Sequence, residues 1–158
     1  MSRAFVKEES DAPPPPPLER PVSSAPNLVT SRGLRLIEAE AARLRSALAA
    51  APDEAEAALL RRDLRYWTAR RSTAQLVALD PAPAAAGFGA RLVIRRGGAE
   101  TSIAIVGEDE ADPAAGLIAW TSPLARALDG AEPGDTVELS AGGRTEAVEL
   151  IEVGPGEG

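Results

Sequence analysis

The chain has 158 residues, enough for one ordinary domain or a small domain with an appendage. Cysteine and histidine are both absent, which excludes disulfides, thiolate metal sites and the nucleophile–base sets built on either residue. The net charge of −7 is uneven: residues 77–158 hold 14 acids and 5 arginines, whereas residues 1–76 hold 10 acids against 12 bases.

An acidic C-terminal half is repelled by nucleic-acid phosphates, so a protein partner suits it better than DNA. Apolar residues make up 44% of the chain but aromatics only 3%, so the core is expected to be small and aliphatic, without a broad aromatic-lined pocket. No apolar run reaches membrane-spanning length and no signal-like apolar stretch opens the sequence, which leads us to expect a cytoplasmic protein with no membrane contact.

Residues 1–26 carry Glu8-Glu9-Ser10-Asp11, five consecutive prolines (Pro13 to Pro17) and further Pro and Ser. Too little can be buried here to offset chain entropy, so a disordered or polyproline II tail is expected. Thr30 is placed to cap a helix, with Val29 and Leu34 at staple positions. Apolar residues then recur at Leu34, Ile37, Ala41, Leu44, Leu48 and Ala51, with steps alternating between 3 and 4. Pro52 ends this helix, and Asp53, followed by Glu56, can cap the next. The second seam reads Ala57, Leu60, Leu64, Trp67, Arg71 and Ala74. Two such helices joined by so short a loop must run antiparallel, which makes residues 27–77 a coiled-coil hairpin. Arg61, Arg62, Arg65 and Arg70 read as a solvated face, or alternatively as a stripe facing a macromolecular partner.

Residues 78–86 form a Pro/Ala linker. Strands are expected at Arg91–Arg96 and Thr101–Val106 around Gly97-Gly98, at Leu117–Trp120, and at Val137–Ser140 and Thr145–Val153 around Gly142-Gly143. Ser122-Pro123 opens a short helix that Asp129-Gly130 stops. This predicts an α+β chain in which residues 87–153 form a small antiparallel β domain with one short helix, before a tail at 154–158. Between the second and third strands, Glu108, Asp109, Glu110 and Asp112 crowd one turn; mutual repulsion predicts that this loop faces water.

As a string, VGEDEAD…GLIAWTSPLARAL…G…GD closely resembles the C-terminal domain of the GreA/GreB transcription elongation factors, where an acidic turn, an I-S-type strand and an S-P-x-A-R helix follow in this order. The opening MSRAFVKEES is similar to the start of many GreB-type proteins, and Val29-Thr30-Ser31-Arg32-Gly33-Leu34 to the V-T-P-E-G-L opening of the Gre hairpin. The resemblance implies an FKBP-like C-terminal fold and a monomer that docks on the rim of the secondary channel of bacterial RNA polymerase, touching DNA or RNA only inside that complex. It assigns docking to Trp120, Thr121, Ser122, Pro123 and Arg126.

In that family the hairpin tip carries a G-D-L-x-E-N-A-E-Y-type loop whose acids help hold a second Mg²⁺ of the polymerase. Here the tip reads APDEAEAA and matches none of it. Asp53, Glu54 and Glu56 are weak metal candidates, and capping with the helix dipole explains them fully. No cofactor of the protein's own is expected; any Mg²⁺ would be shared with the polymerase. The arms are shorter than those of cleavage-stimulating Gre proteins, and each ten residues lost withdraws a tip by about 15 Å. The expected function is therefore elongation control with weak or no stimulation of transcript cleavage, and no enzymatic activity of its own. The alternatives are an active cleavage factor using the tip acids, antagonism of longer factors in the manner of the short-armed Rnk proteins, and, least, a peptidyl-prolyl isomerase-like module.

Overall fold

The computed structural model describes residues 12–158. Met1–Asp11, and with it the resemblance carried by the opening residues, lies outside the described residues.

Strand β1 (Leu28–Val29) leads into helix α1 (Ser31–Ala49), and helix α2 (Glu54–Thr73) returns to β2 (Gln75–Leu76). Thr30 caps α1 by accepting the Gly33 N–H at 3.0 Å, and Asp53 caps α2 by accepting the Glu56 N–H at 2.8 Å. The two helices fold back on each other as the heptads require. Ile37, Ala41 and Leu44 are buried against α2, where Ala57 is buried and Leu60, Leu64 and Trp67 are half-buried. At the base, β1 and β2 pair in parallel, Leu28 with Gln75 and Val29 with Leu76, so a two-strand ladder closes the hairpin.

The seam departs from the sequence expectation at its lower end. Arg71 is exposed and reaches Glu38 of α1 at 3.3 Å, whereas Arg70, expected on the solvated face, is buried. The apolar stripe ends before this turn, and contacts with the neighbouring domain hold the last residues of α2 instead.

Residues 12–26 form no helix or strand. They nevertheless run along α2 from Arg65 toward its C-terminus. Glu19 pairs with Arg65, and the Arg20 guanidinium sits 3.9 Å from the Tyr66 ring centroid. Asn27 then hydrogen-bonds the Arg70 carbonyl at 2.7 Å. Tyr66 and Trp67, packed edge to face at 5.2 Å, offer a cation this surface.

The C-terminal domain is a five-stranded sheet ordered β5-β4-β3-β7-β6. Its strands are β3 (Ala90–Arg96), β4 (Ala99–Val106), β5 (Leu117–Ala119), β6 (Thr136–Ala141) and β7 (Arg144–Pro155), with helix α3 (Pro123–Leu128) between β5 and β6. Both Gly-Gly pairs take positive φ (Gly97 54°, Gly98 81°, Gly142 59°, Gly143 76°), the conformation a two-residue hairpin turn requires. All pairings are antiparallel except β4–β5, which is parallel because the acidic turn and a 3₁₀ turn at Pro113–Ala115 carry the chain back across the edge. Alternation on the strands turns Leu92, Ile94, Ile103, Ile105, Leu139, Val148 and Leu150 to one face, which α3 covers with Ala125 and Leu128. Each fully buried Leu or Ile stabilises by about 1.5–3 kcal/mol, so this aliphatic layer holds the domain.

Candidate functional site

Two sets of residues meet around the acidic turn. One joins the hairpin to the sheet domain; the other is the loop from β5 into α3 that the sequence marks for docking.

The turn does not face water as repulsion between its carboxylates predicts. Glu110 is buried, its side chain 2% exposed, and accepts from the Thr30 hydroxyl at 2.6 Å and from Arg32 Nε at 2.8 Å. Asp109, 6% exposed, accepts from Arg70 Nε and from the Tyr66 hydroxyl, both at 2.5 Å. Glu108 lies 3.4 Å from Arg70 Nη2, which also donates to Asn27 at 2.8 Å. Three acids are thus matched by two guanidinium groups and two hydroxyls from the hairpin. Repulsion among carboxylates is overcome because each has a donor aimed at it, which is what burial of charge requires. Asp112 alone of the four stays exposed. Burial, reinforced by the hydrogen bond to Asp109, pushes the Tyr66 phenol up to about 12. Gly107 opens the turn, and a Cβ there would stand 2.5 Å from the Leu28 carbonyl oxygen, so the two domains meet with no side chain between them.

This joint positions the candidate docking loop. Trp120 continues the β5 ladder, its backbone N–H donating to the Val106 carbonyl at 2.9 Å. The Thr121 hydroxyl donates to Glu108 at 3.2 Å, tying the loop to the same acidic turn. Ser122 caps α3 by accepting the Ala125 N–H at 3.3 Å, with Pro123 at the first helical position. Pro123 and Arg126 are both exposed, and Arg126 makes no ion pair among the described residues. Trp120 is half-buried against the core, with its indole N–H buried and unpartnered. The five predicted residues therefore form one continuous patch from the end of β5 to the first turns of α3.

The tip acids sit at the far end of the hairpin from this patch. Asp53 is occupied as a cap, and Glu54 accepts from Arg61 at 2.7 Å, which holds its carboxyl below the usual range. Among the described residues no three acidic side chains converge at metal-binding distance.

Sequence reasoning missed Asn27, Tyr66 and Arg70. The available signal was the acidic turn itself: four acids in five positions need counter-charge, and α2 is the richest source of it.

Residues 82–155 match the family model described as the C-terminal domain of the transcription elongation factor GreA/GreB. The C-terminal domain belongs to the GreA/GreB family. Among curated relatives, the chain is 48% identical over 68 residues to a transcription elongation factor GreA of Alkalilimnicola ehrlichii, covering 42% of this chain and 43% of that protein. It is 37% identical over 91 residues to the GreA of Rhizobium etli, covering 58% of each. The chain thus spans about half the length of the curated GreA relatives it matches. Among solved structures, it is similar to the GreA factor homolog 1 (Gfh1) of Thermus thermophilus at 20% identity and a TM-score of 0.39, over 82% of this chain and 99% of that one. A GreA/GreB elongation factor from Nitrosomonas europaea aligns at 21% identity and a TM-score of 0.40, over 80% and 98% of the two chains. The family assignment rests on the sequence matches. No helix among the described residues is long and apolar enough to cross a membrane.

Proposed function

We propose that this protein is a GreA/GreB-type transcription elongation regulator that binds bacterial RNA polymerase through the Trp120–Arg126 patch, directs its helical hairpin into the secondary channel, and does not stimulate transcript cleavage. The observation that carries this reading is the pairing of a GreA/GreB C-terminal domain with a hairpin of only 19 and 20 residues. Such arms reach about 30 Å. A hard divalent ion requires oxygen ligands at about 2.1 Å, so a tip several ångströms short contributes nothing to ligation. Two of the three tip acids are also engaged: Asp53 caps α2 and Glu54 pairs with Arg61, while Glu56 is exposed.

Filling the channel without assisting cleavage makes the protein a competitor of longer-armed factors. The deciding experiment combines purified core polymerase, a backtracked complex and a long-armed Gre factor. The expected result is direct binding, no acceleration of transcript cleavage, and dose-dependent loss of the long factor's stimulation. Cleavage at the rate of the long factor overturns the short-arm reading; no binding to polymerase overturns the functional assignment.

A further inference from the structure

Where the base of α1 meets strands β3, β4 and β5 lies a cavity of about 320 Å³, lined among others by Arg32, Arg91, Ser102, Val106, Leu117 and Glu157. Its two guanidinium groups come from different domains. Arg32 of α1 pairs with Glu110 through Nε, at 2.8 Å, and its two terminal nitrogens make no hydrogen bond among the described residues. Arg91 of β3 is exposed and donates through Nε to the Ser102 hydroxyl at 3.2 Å. It has no acidic partner among the described residues, although residues 77–158 hold 14 acids against 5 arginines. Arg95 and Arg96 on the same strand are each paired with glutamate. Two guanidinium groups sharing one cavity repel each other unless an anion lies between them, and their free forks are the donors a multiply charged anion requires.

We propose that this cavity binds a small phosphate-bearing molecule, whose phosphate oxygens bridge Arg32 of the hairpin and Arg91 of the sheet domain. This goes beyond polymerase binding and does not rest on it. The donor set selects phosphate over carboxylate. A carboxylate has two oxygens, and one guanidinium fork satisfies both; a phosphate ester carries three terminal oxygens and up to about two negative charges, enough for both forks and the Ser102 hydroxyl. Val106 and Leu117 give the rest of the molecule an apolar wall, and a boundary between domains is a usual place for such a site. Glu157 is the one carboxylate among the lining residues; it is exposed and makes no ion pair with either guanidinium among the described residues. The backbone fixes its approach, because a Cβ on the preceding Gly156 would run into the Gly89 carbonyl oxygen. Glu157 therefore opposes an anion in the cavity and limits its affinity. A ligand held by both arginines ties arm to head at a second point beside the Arg32–Glu110 pair, and so stabilises the joint.

The test is calorimetric titration of the full chain with pyrophosphate and, separately, with ADP, in metal-free buffer at fixed ionic strength. It compares the parent with Arg91→Ala, Glu157→Gln and Arg144→Ala. Arg144 is also exposed and without an ion pair among the described residues, but it does not line the cavity, so its loss controls for charge alone. The expected result is saturable binding by the parent, weakened about tenfold or more in Arg91→Ala and tightened a few-fold in Glu157→Gln. Arg144→Ala should stay within about twofold of the parent, because salt screens a distant charge. Ligand should raise the thermal midpoint of the parent and leave that of Arg91→Ala unmoved. Tighter binding of ADP supports the site with a nucleotide as its source of phosphate; equal binding supports it with the diphosphate alone. Absence of saturable binding of either probe overturns the proposal. Equal weakening in Arg91→Ala and Arg144→Ala also overturns it, since the attraction is then general charge and not this cavity.

Discussion

Arg70 of α2 donates through Nε to Asp109 of the acidic turn at 2.5 Å, and the two side chains are 2% and 6% exposed. This buried pair crosses from hairpin to sheet domain and sets the direction in which the arm leaves the head. Removing one partner strands a charge in the joint. Arg70→Met is expected to cost about 3–5 kcal/mol in urea unfolding. The paired replacement Arg70→Met with Asp109→Leu should recover much of that loss, since an apolar pair leaves less stranded charge. A double variant as unstable as the single one contradicts this account.

Tyr66 supplies a pH-dependent readout of the same joint. Its phenol is pushed up to about 12, first by burial and then by the hydrogen bond to Asp109, whereas an unfolded tyrosine titrates at about 10. A raised value means that the neutral form is favoured on folding. The contribution is therefore complete below pH 10 and is lost as pH rises from about 10 to about 12. Tyr66 is the sole tyrosine, so phenolate absorbance reports this group alone. The native protein should titrate near 12 and the urea-unfolded chain near 10; coincident curves would show that the phenol is not held by the joint.

Gly107 is where the backbones of the two domains touch. Gly107→Ala places a methyl 2.5 Å from the Leu28 carbonyl oxygen, and neither backbone can give way cheaply. A loss of about 1–3 kcal/mol is expected. Gly130→Ala offers the contrasting case: its Cβ meets nothing, and any cost there comes from the positive φ of 78° alone. Thermal unfolding of the two variants side by side checks the difference.

Two helix caps separate stability from binding. Asp53→Ala and Ser122→Ala each remove a side-chain acceptor from a helix N-terminus, and each should cost about 1 kcal/mol. Only the Ser122 change is expected to weaken polymerase binding, because Asp53 lies at the far end of the hairpin. Equal affinities for the two variants, measured against core polymerase, would remove the docking role from Ser122.

The strap along α2 is a smaller effect. Arg20→Ala removes a guanidinium 3.9 Å from the Tyr66 ring and should cost about 0.5–1 kcal/mol. The accompanying Glu19–Arg65 pair is exposed and should add little. Chemical denaturation of Arg20→Ala and Glu19→Ala resolves the two.

The hairpin and the sheet were legible because their signals are local and periodic. The heptad steps through Ile37, Ala41 and Leu44, the Pro52 break, the Asp53 and Ser122 caps, and the Gly-Gly turns each act over a few residues, and each forms the element expected of it. The turn from β5 into α3 was legible for the same reason, its Ser122 cap and Pro123 lying in one short contiguous string.

The order of residues therefore specifies unaided the helices, the strands of the five-stranded sheet and the glycine turns, though not the short β1–β2 ladder, and it carries the kinship of residues 82–155. The fate of the charges was settled in three dimensions. Asp109 and Glu110 read as solvated carboxylates until Arg70 and Arg32, 39 and 78 positions away in sequence, are brought against them. Whether a charge is buried depends on the partner that arrives, and no local pattern in the chain encodes that meeting.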